Sequence, residues 1–369
     1  MYEETEAVRA DNFGAGPAAL PVAVLRQVQE EFIAYRQTGM SVVELGHRTA
    51  EYSEIQNQAK QRLRRLLGIS EDFEVLFLQG GASLQFAMVP LNFLDDNQTA
   101  AYALTGSWAK KAYQEGKLVG RVRVASDGAN EGYRHIPKLE ELLLEPEDAY
   151  LHLTSNNTIV GSQWADFPVD TGVPLVADMS SDILSRPVPV ERFQLIYAGA
   201  QKNLGPAGLT IVILRKSWLE QAVAKRVIPS MLRYDTHVKG DSRYNTPPVF
   251  PIYVAGLVLQ WLEEQGGLVA MARRNQEKAA VVYQAIDEGD NFYTGVVDVD
   301  SRSPMNITFR LPTEELEKQF VQEAKVAGMV GLGGHRSVGG CRASLYNAVT
   351  LESCTRLAEF MADFRKIHG

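Results

Sequence analysis

Short runs of apolar residues alternate with longer segments of helical periodicity along most of the chain. Segment 48–68 repeats apolar residues at helical spacing and stops at Gly68, which predicts a helix that ends there. The run 74–83 passes into glycines and then into a helical segment that Pro90 is expected to interrupt. Runs that predict strands lie at 74–83, 99–104, 149–155, 173–181, 193–201 and 209–215. The alternation predicts an α/β fold with a mostly parallel sheet and helices on both of its faces.

The pattern changes near residues 266–267. Beyond this glycine pair the helical segments are longer and strands are fewer, the clearest runs being 306–311 and 341–346. We therefore expect a smaller C-terminal domain that begins there. Ligands of open α/β sheets bind beyond the carboxyl ends of the strands, so functional residues should follow the apolar runs.

The chain has 369 residues, and its 37 Lys and Arg against 45 Asp and Glu give a formal net charge of −8. That balance disfavours nucleic acid as a partner, because phosphates are bound by a basic surface. The two cysteines, Cys341 and Cys354, form neither a CxxC pair nor a disulfide framework, so we expect a reducing compartment and no metal site. The acidic start MYEETEAVRA is unlike a signal peptide, and no apolar stretch approaches the ~18 residues of a membrane helix. We expect a cytoplasmic protein without a membrane partner.

Lys202 follows the apolar run 193–201 and precedes a turn that contains two glycines and a proline. A lysine desolvated at a strand end can lose its proton and form a Schiff base with a carbonyl. Asp178 ends another apolar run, so both side chains are expected at the carboxyl edge of one sheet. An acidic residue there can keep the ring nitrogen of pyridoxal phosphate protonated. Two simpler interpretations stay open: Lys202 reaching into solvent, and Asp178 capping a helix.

Two further features suit pyridoxal phosphate. Segment 79–83, QGGAS, lies between a predicted strand and a predicted helix, so the amides of Ala82 and Ser83 can bind a phosphate at the helix N-terminus. Trp108 follows the run 99–104 and can stack on a flat ring. A plain glycine turn and a core tryptophan explain the same residues equally well on local grounds.

The tripeptide Gly-His-Arg occurs twice, with His47 and Arg48 in its first copy and His335 and Arg336 in its second; Arg342 follows the second copy. Guanidinium groups bind carboxylates and phosphates bidentately. Several such groups around one carbonyl chemistry imply a substrate with an acidic group at each end. Coincidence and surface ion pairing stay open as the alternative.

Six segments together resemble the phosphoserine aminotransferases, which are pyridoxal-phosphate enzymes of the class V aminotransferase group. They are FGAGPAALP (13–21), SVVELGHR (41–48), QGGASLQFAMVP (79–90), GAQKNLGPAG (199–208), YNTPP (244–248) and GHRSVGGCRASLYNA (334–348). The resemblance implies a homodimer of fold type I. Its large domain, over 17–265, would hold a mainly parallel seven-stranded sheet, and a small α/β domain over 266–369 would include residues 1–16.

The resemblance also implies an activity: ping-pong transfer of the amino group of L-glutamate to 3-phosphohydroxypyruvate. The products would be 2-oxoglutarate and O-phospho-L-serine, which feeds serine biosynthesis. The sequence leaves open how far the chain also uses a second substrate, the keto acid of phosphohydroxythreonine in vitamin B6 synthesis.

The residues implied to hold the cofactor are, in chain order, Ala82, Ser83, Trp108, Thr158, Asp178, Gln201, Lys202, Asn245 and Thr246. Lys202 would bind it covalently, Asp178 would pair with its ring nitrogen and Trp108 would stack on its ring. Thr158 would bond the phenolic oxygen. The other five would hold the phosphate, the last two from the neighbouring subunit.

The substrate would be bound at two ends. Arg342 would bind its α-carboxylate. His335 and Arg336 would bind its distal phosphate or carboxylate, together with His47 and Arg48 of the second chain of the dimer. The resemblance thus implies an active site at the subunit interface.

Two positions depart from the family pattern. Some branches carry an arginine in place of Ser83, which puts one cationic contact to the substrate phosphate in doubt. Many members read Asn-Glu-Thr where segment 156–158 reads Asn-Asn-Thr, which puts the contacts beside Thr158 in doubt.

The sequence suggests two rival functions: a cysteine desulfurase or lyase that uses Cys341, and an inactive binding homologue. The first is disfavoured because Cys341 lies in an apolar run, the second because the key lysine and aspartate are present.

Overall fold

The computed structural model describes residues 9–222 and 227–369. Its α-helices are α1 (Val22–Glu31), α2 (Ala50–Leu67), α3 (Gly81–Phe93), α4 (Ser107–Val119), α5 (Lys216–Ala222), α6 (Tyr234–Lys239), α7 (Val249–Glu264), α8 (Gly267–Asp287), α9 (Glu314–Val326) and α10 (Leu351–His368). Its strands are β1 (Asp11–Asn12), β2 (Phe73–Leu78), β3 (Thr99–Leu104), β4 (Arg121–Asp127), β5 (Leu151–Thr154), β6 (Asn156–Asn157), β7 (Ser162–Gln163), β8 (Leu175–Asp178), β9 (Leu195–Gly199), β10 (Thr210–Arg215), β11 (Thr294–Gly295), β12 (Asn306–Arg310), β13 (Met329–Val330) and β14 (Cys341–Ser344). None of the helices in these ranges is long and apolar enough to cross a membrane.

A seven-stranded sheet in the order β2-β10-β9-β8-β5-β3-β4 forms the centre of the molecule. Strand β10 runs antiparallel to both of its neighbours, while the other pairs in this sheet are parallel. The predicted α/β fold with a mainly parallel seven-stranded sheet is confirmed. In its register Thr154 lies opposite Asp178, which in turn lies opposite Tyr197. The ends of β5, β8 and β9 therefore meet at one edge of the sheet.

Alternate residues of each central strand pack into different layers. In β8, Leu175 and Ala177 belong to the core that also holds helices α2 and α7, whereas Val176 belongs to the core with α3 and α4. This division follows from the pleat, which sends successive side chains to opposite faces of a sheet. Because both faces are covered by helices, the central strands are mostly apolar.

Two details differ from the sequence prediction. Strand β4 was missed, because its segment RVRVASD lies at the edge of the sheet, where exposed Arg121 and Asp127 interrupt the apolar pattern. Helix α3 runs through Pro90 without interruption. Proline removes one backbone donor there, and α3 continues only to Phe93. The Phe93 ring stacks on the rings of Trp218 and Tyr234, which holds the last turn in place.

A second sheet of three antiparallel strands, β11-β12-β14, packs with α8, α9 and α10 around its own core. Strand β1 pairs in parallel with β13, and Phe13 enters the same core. Helix α8 serves both cores, with Leu268 and Met271 in the first and Ala279 in the second. The division at residue 265 stays a prediction, and residues 1–8 of the predicted small domain lie outside the described residues.

Candidate active site

Lys202 lies in the turn after β9, at the edge where the central strands end. Its Nζ donates to Thr158 Oγ1 at 2.6 Å and lies 5.5 Å from the centre of the Trp108 ring. The N-terminal segment covers the turn, since the Ala18 amide donates to the Gln201 carbonyl at 3.0 Å. The lysine is therefore half-buried among other residues of the chain rather than extended into solvent.

The pKa of Lys202 is lowered to about 8, because burial disfavours the ammonium form. The charge of Asp178 acts in the opposite direction, and that of Arg342 lowers the pKa further. At pH 7 about one tenth of the amine is then neutral, against about one part in 3000 for a lysine at its ordinary value. This amine can act as a nucleophile or take up a proton near neutral pH.

Asp178 ends β8 with its side chain buried. Its Oδ1 accepts from the Ser180 amide at 2.9 Å and from the Ser180 hydroxyl at 2.6 Å, and no hydrogen bond from the described residues reaches Oδ2. No described helix begins after this strand, so Asp178 is not the helix cap of the alternative interpretation. Burial raises the pKa of Asp178, while Lys202 and the Ser180 bonds lower it. Oδ2 is available to a ligand.

A second buried carboxylate, Asp182, was missed by the sequence analysis. The hydroxyl of Ser155 contacts Asp182 Oδ1 and lies 3.0 Å from the Asp178 carbonyl, which also accepts from the Ser155 amide at 2.9 Å. Burial raises the pKa of Asp182 to about 6. Asp182 thus stabilises the end of β8 through its contact with Ser155. Sequence analysis could not find it, because a carboxylate that serves only to hydrogen-bond another residue leaves no recognisable pattern in the sequence.

Thr158 lies in the hairpin turn between β6 and β7. Its carbonyl accepts from Arg342 Nη1 at 3.1 Å, so this turn contacts both Lys202 and the buried arginine of β14. Asn157, where many family members carry glutamate, donates to the hydroxyls of Thr105 and Ser162 at 3.1 Å each. The Asn157 side chain is therefore hydrogen-bonded to two neutral hydroxyl groups, and these bonds keep the turn in place.

Trp108 lies in the first turn of α4, and its indole Nε1 is buried without a hydrogen-bond partner among the described residues. Lys111, one turn further along the same helix, places its Nζ 4.3 Å from the centre of the indole ring. Together with burial and the charges of Arg342 and Arg336, Lys111 lowers the pKa of His335. The sequence analysis missed Lys111, although its spacing of three residues from Trp108 is the signal that could have found it.

Helix α3 begins at the turn QGGAS. Gly80 precedes it with a φ of 90°, a value that glycine adopts without strain, and Ala82 and Ser83 occupy the second and third helical positions. The amides of a first helical turn have no partner within the helix, so they can bind an anion. Asn245 donates to Gln79 Oε1 at 2.9 Å, directly before this turn, and Thr246 beside it is exposed.

The four residues predicted to bind a distal anion lie in two separate places. His335 and Arg336 belong to the loop between β13 and β14, where Arg336 is exposed. His47 and Arg48 precede α2, and Arg48 is exposed as well. Within the described residues no hydrogen bond or ion pair joins residues 47–48 to Lys202, Thr158 or Arg342. The chain alone thus brings together one half of the predicted distal site.

These observations fit pyridoxal phosphate. The free Asp178 Oδ2 suits a protonated ring nitrogen, the Trp108 ring suits stacking and the amides of α3 suit a phosphate. Lys202 supplies the amine that binds the aldehyde. An α/β sheet with these groups beyond its strand ends defines a pyridoxal-phosphate-dependent enzyme.

Comparisons with known proteins place the chain within this class. The family described as aminotransferase class-V matches residues 11–357. A phosphoserine aminotransferase of Lysinibacillus sphaericus is 56% identical over 360 residues, which cover 98% of this chain and 99% of that protein. The structure of the enzyme from Bacillus circulans subsp. alkalophilus has a TM-score of 0.95 and 55% identity, covering 98% and 99% of the two chains. A PLP-bound phosphoserine aminotransferase of Trichomonas vaginalis has a TM-score of 0.91 and 40% identity, covering 96% and 100%.

The chain belongs to the class-V aminotransferases and, among them, to the phosphoserine aminotransferases. Its cofactor is pyridoxal 5′-phosphate, and its chemistry is transamination. The desulfurase alternative also fails on chemistry. Cys341 is buried, and burial raises the pKa of its thiol to about 12, so little reactive thiolate forms near neutral pH.

Proposed function

We propose that this chain transfers the amino group of L-glutamate to 3-phosphohydroxypyruvate, giving 2-oxoglutarate and O-phospho-L-serine in serine biosynthesis. One observation carries the proposal: Lys202, Thr158 and Arg342 form a contiguous group beside the buried Asp178. A lysine for the chemistry and a buried arginine for an α-carboxylate are what an amino-acid aminotransferase requires. A phosphorylated four-carbon keto acid carries the same two anionic ends and is a second candidate substrate.

The geometry of the site supports the residues that are proposed to hold the cofactor. Asp178 Oδ2 would keep a proton on the ring nitrogen, and Trp108 would stack on the ring. Thr158 Oγ1, which accepts from Lys202, would bond the phenolic oxygen. The amides of Ala82 and Ser83 would bind the phosphate, with Gln201 beside them. The bound cofactor supplies an electron sink that stabilises negative charge on the substrate Cα.

Lys202 has two roles in this proposal. Its neutral amine would hold the cofactor aldehyde between turnovers. Once free, the amine would take the proton from the substrate Cα and deliver it to the cofactor carbon next to the transferred nitrogen. A pKa near 8 suits both roles, because a general base works best when its pKa lies close to the working pH. The same residue thus acts as base and acid.

Arg342 would bind the substrate α-carboxylate. Its guanidinium is buried, donates to Thr158 O at 3.1 Å and has an Nε atom with no partner among the described residues. An arginine with unused donors in a site that excludes water binds a carboxylate strongly. Arg336, with Lys111 close by, would form the positive region for the distal phosphate or carboxylate. His335, whose pKa is lowered by burial and by these charges, would bind the same group as a neutral ring.

A homodimer would complete the distal site. We propose that a second copy of the chain brings its own His47 and Arg48 to this positive region, and its own Asn245 and Thr246 to the phosphate. The exposure of Arg48 and Thr246 supports this arrangement. A cytoplasmic location is compatible with the two cysteines being free thiols.

The visible absorption spectrum of the reconstituted protein tests the function. We expect the band of the lysine-bound cofactor to bleach with O-phosphoserine and with glutamate, and much less with alanine or cysteine. Product analysis should show 2-oxoglutarate from glutamate only when the band bleaches. A band that bleaches with cysteine alone, with release of sulfide, would refute the proposal in favour of desulfuration.

A further inference from the structure

The loop that carries His335 and Arg336 is closed on itself. We call residues 334–340 the distal-anion loop. The Gly334 amide donates to the Gly340 carbonyl at 2.9 Å, and the amides of Val338 and Gly339 both donate to the His335 carbonyl at 2.9 Å. These bonds set the shape of the loop but do not fix its position relative to the rest of the protein.

An ion pair from outside the loop also holds it in position. Arg310, the last residue of β12, contacts Glu317 of α9 with its Nη1 atom at 3.1 Å from Oε2 and 3.2 Å from Oε1. Arg310 Nη2 donates to the Val338 carbonyl at 2.8 Å. The Gly340 amide donates to Glu317 Oε2 at 3.0 Å. Each member of the pair therefore bonds both its partner and the backbone of the loop.

The loop packs closely against the Arg310 side chain at two glycines. Gly339 and Gly340 have φ values of 68° and 73°, and a Cβ atom on either would lie 2.9 Å from an atom of the Arg310 side chain. The Glu317 side chain is only 9% exposed, against 43% for Arg310. A nearly buried carboxylate that accepts from a guanidinium and a backbone amide makes strong, charge-assisted bonds. The two glycines let the loop lie directly on the pair.

We propose that Arg310 and Glu317 are positioning residues that hold the distal-anion loop and thereby set the selectivity for substrates with a distal anion. The inference rests on the proposed function, in which His335 and Arg336 bind that anion. Neither Arg310 nor Glu317 is proposed to contact the substrate. They would act through their hydrogen bonds to the backbone of Val338 and Gly340.

The test uses Glu317→Gln in the reconstituted enzyme, with Glu323→Gln as the matched control. Glu323 lies on the same helix and contacts His368 instead of the loop. Spectral titration should show an apparent affinity for O-phosphoserine about tenfold weaker in Glu317→Gln, the size expected when one charge-assisted bond is lost. Bleaching by alanine, which has no distal anion, should change less. The rate of bleaching with O-phosphoserine divided by the rate with alanine should therefore fall. The affinity for pyridoxal phosphate and the control variant should stay close to wild type.

A double-mutant cycle separates positioning from general stability. In a background that carries both His335→Ala and Arg336→Ala, Glu317→Gln should weaken O-phosphoserine binding by less than about twofold, because the residues that it positions are already gone. An unchanged affinity in Glu317→Gln, equal losses for alanine and O-phosphoserine, or a full additive loss in the His335→Ala and Arg336→Ala background would each refute the inference. A wild-type protein that reacts with glutamate but not with O-phosphoserine would instead refute the proposed function, and this inference with it.

Discussion

The two ends of the site are built differently. At the cofactor end, Lys202, Thr158 and Asp178 lie within or beside buried strands, and each has partners from the same chain. At the distal end, Arg336 and Arg48 are exposed on separate segments, and the described residues do not join them. The difference indicates that one chain contains the groups for the chemistry, and it supports the proposal that recognition of the distal anion also needs a second subunit.

Burial explains this division. Transamination needs an amine with a lowered pKa and an aspartate kept out of water, and both effects require a packed interior. Binding a phosphate needs cations that the substrate can reach before the site is complete. Arginine keeps its charge in either environment, so it can remain exposed until a ligand or a subunit covers it.

The largest effect is expected for Lys202→Ala. Loss of the positioned amine should lower the rate of the half-reaction by at least about 1000-fold, within the roughly 10²–10⁴-fold contribution of a general acid–base. Single-turnover measurements with O-phosphoserine would check this value. Lys278→Ala is not a suitable control, because Lys278 bonds three carbonyls of the core. Lys110→Ala, which removes an exposed lysine of α4, is a suitable control and should retain the rapid proton transfer. Turnover of Lys202→Ala at the wild-type rate would rule out the assigned role.

Asp178→Asn should have the next largest effect. Removing the charge opposite a ring nitrogen should weaken cofactor binding by about 10- to 150-fold, the range that corresponds to a charge-assisted hydrogen bond. Equilibrium titration of the apo protein with pyridoxal phosphate measures it. Asp182→Asn removes the neighbouring buried carboxylate and should weaken binding less. If the two substitutions weakened cofactor binding equally, Asp178 would act only by stabilising the fold and not by contacting the cofactor.

A change of pH should have a smaller effect, on the rate at which the apo protein is reconstituted with pyridoxal phosphate. Since burial lowers the pKa of Lys202 to about 8, the neutral amine increases about tenfold per unit below that value and levels off above it. The rate of reconstitution of the apo protein should follow this curve. In Asp178→Asn the inflection should move to lower pH, because Asp178 raises the Lys202 pKa. A rate that keeps rising up to about pH 10.5, the ordinary lysine value, would contradict the lowered pKa.

Much of the cofactor end could be predicted from the sequence. Lys202 and Asp178 stand out because a charged residue directly after an apolar run is costly unless it is used. The edge strand β4 and the continuity of α3 through Pro90 could not be predicted from local pattern, since tertiary packing decided both. Glu317 and Arg310 were missed for a related reason. They look like ordinary surface residues, and only the fold brings them to the loop.

The central claim is that the chemistry belongs to one chain and distal recognition is shared between two. Mixed dimers of Arg48→Ala and Lys202→Ala subunits test it most directly. Each parent homodimer should be impaired with O-phosphoserine, whereas the heterodimer should regain one working site, with an intact Lys202 from one chain and an intact Arg48 from the other. Verified heterodimers without any regained activity would contradict the claim and show that each site is built from a single chain.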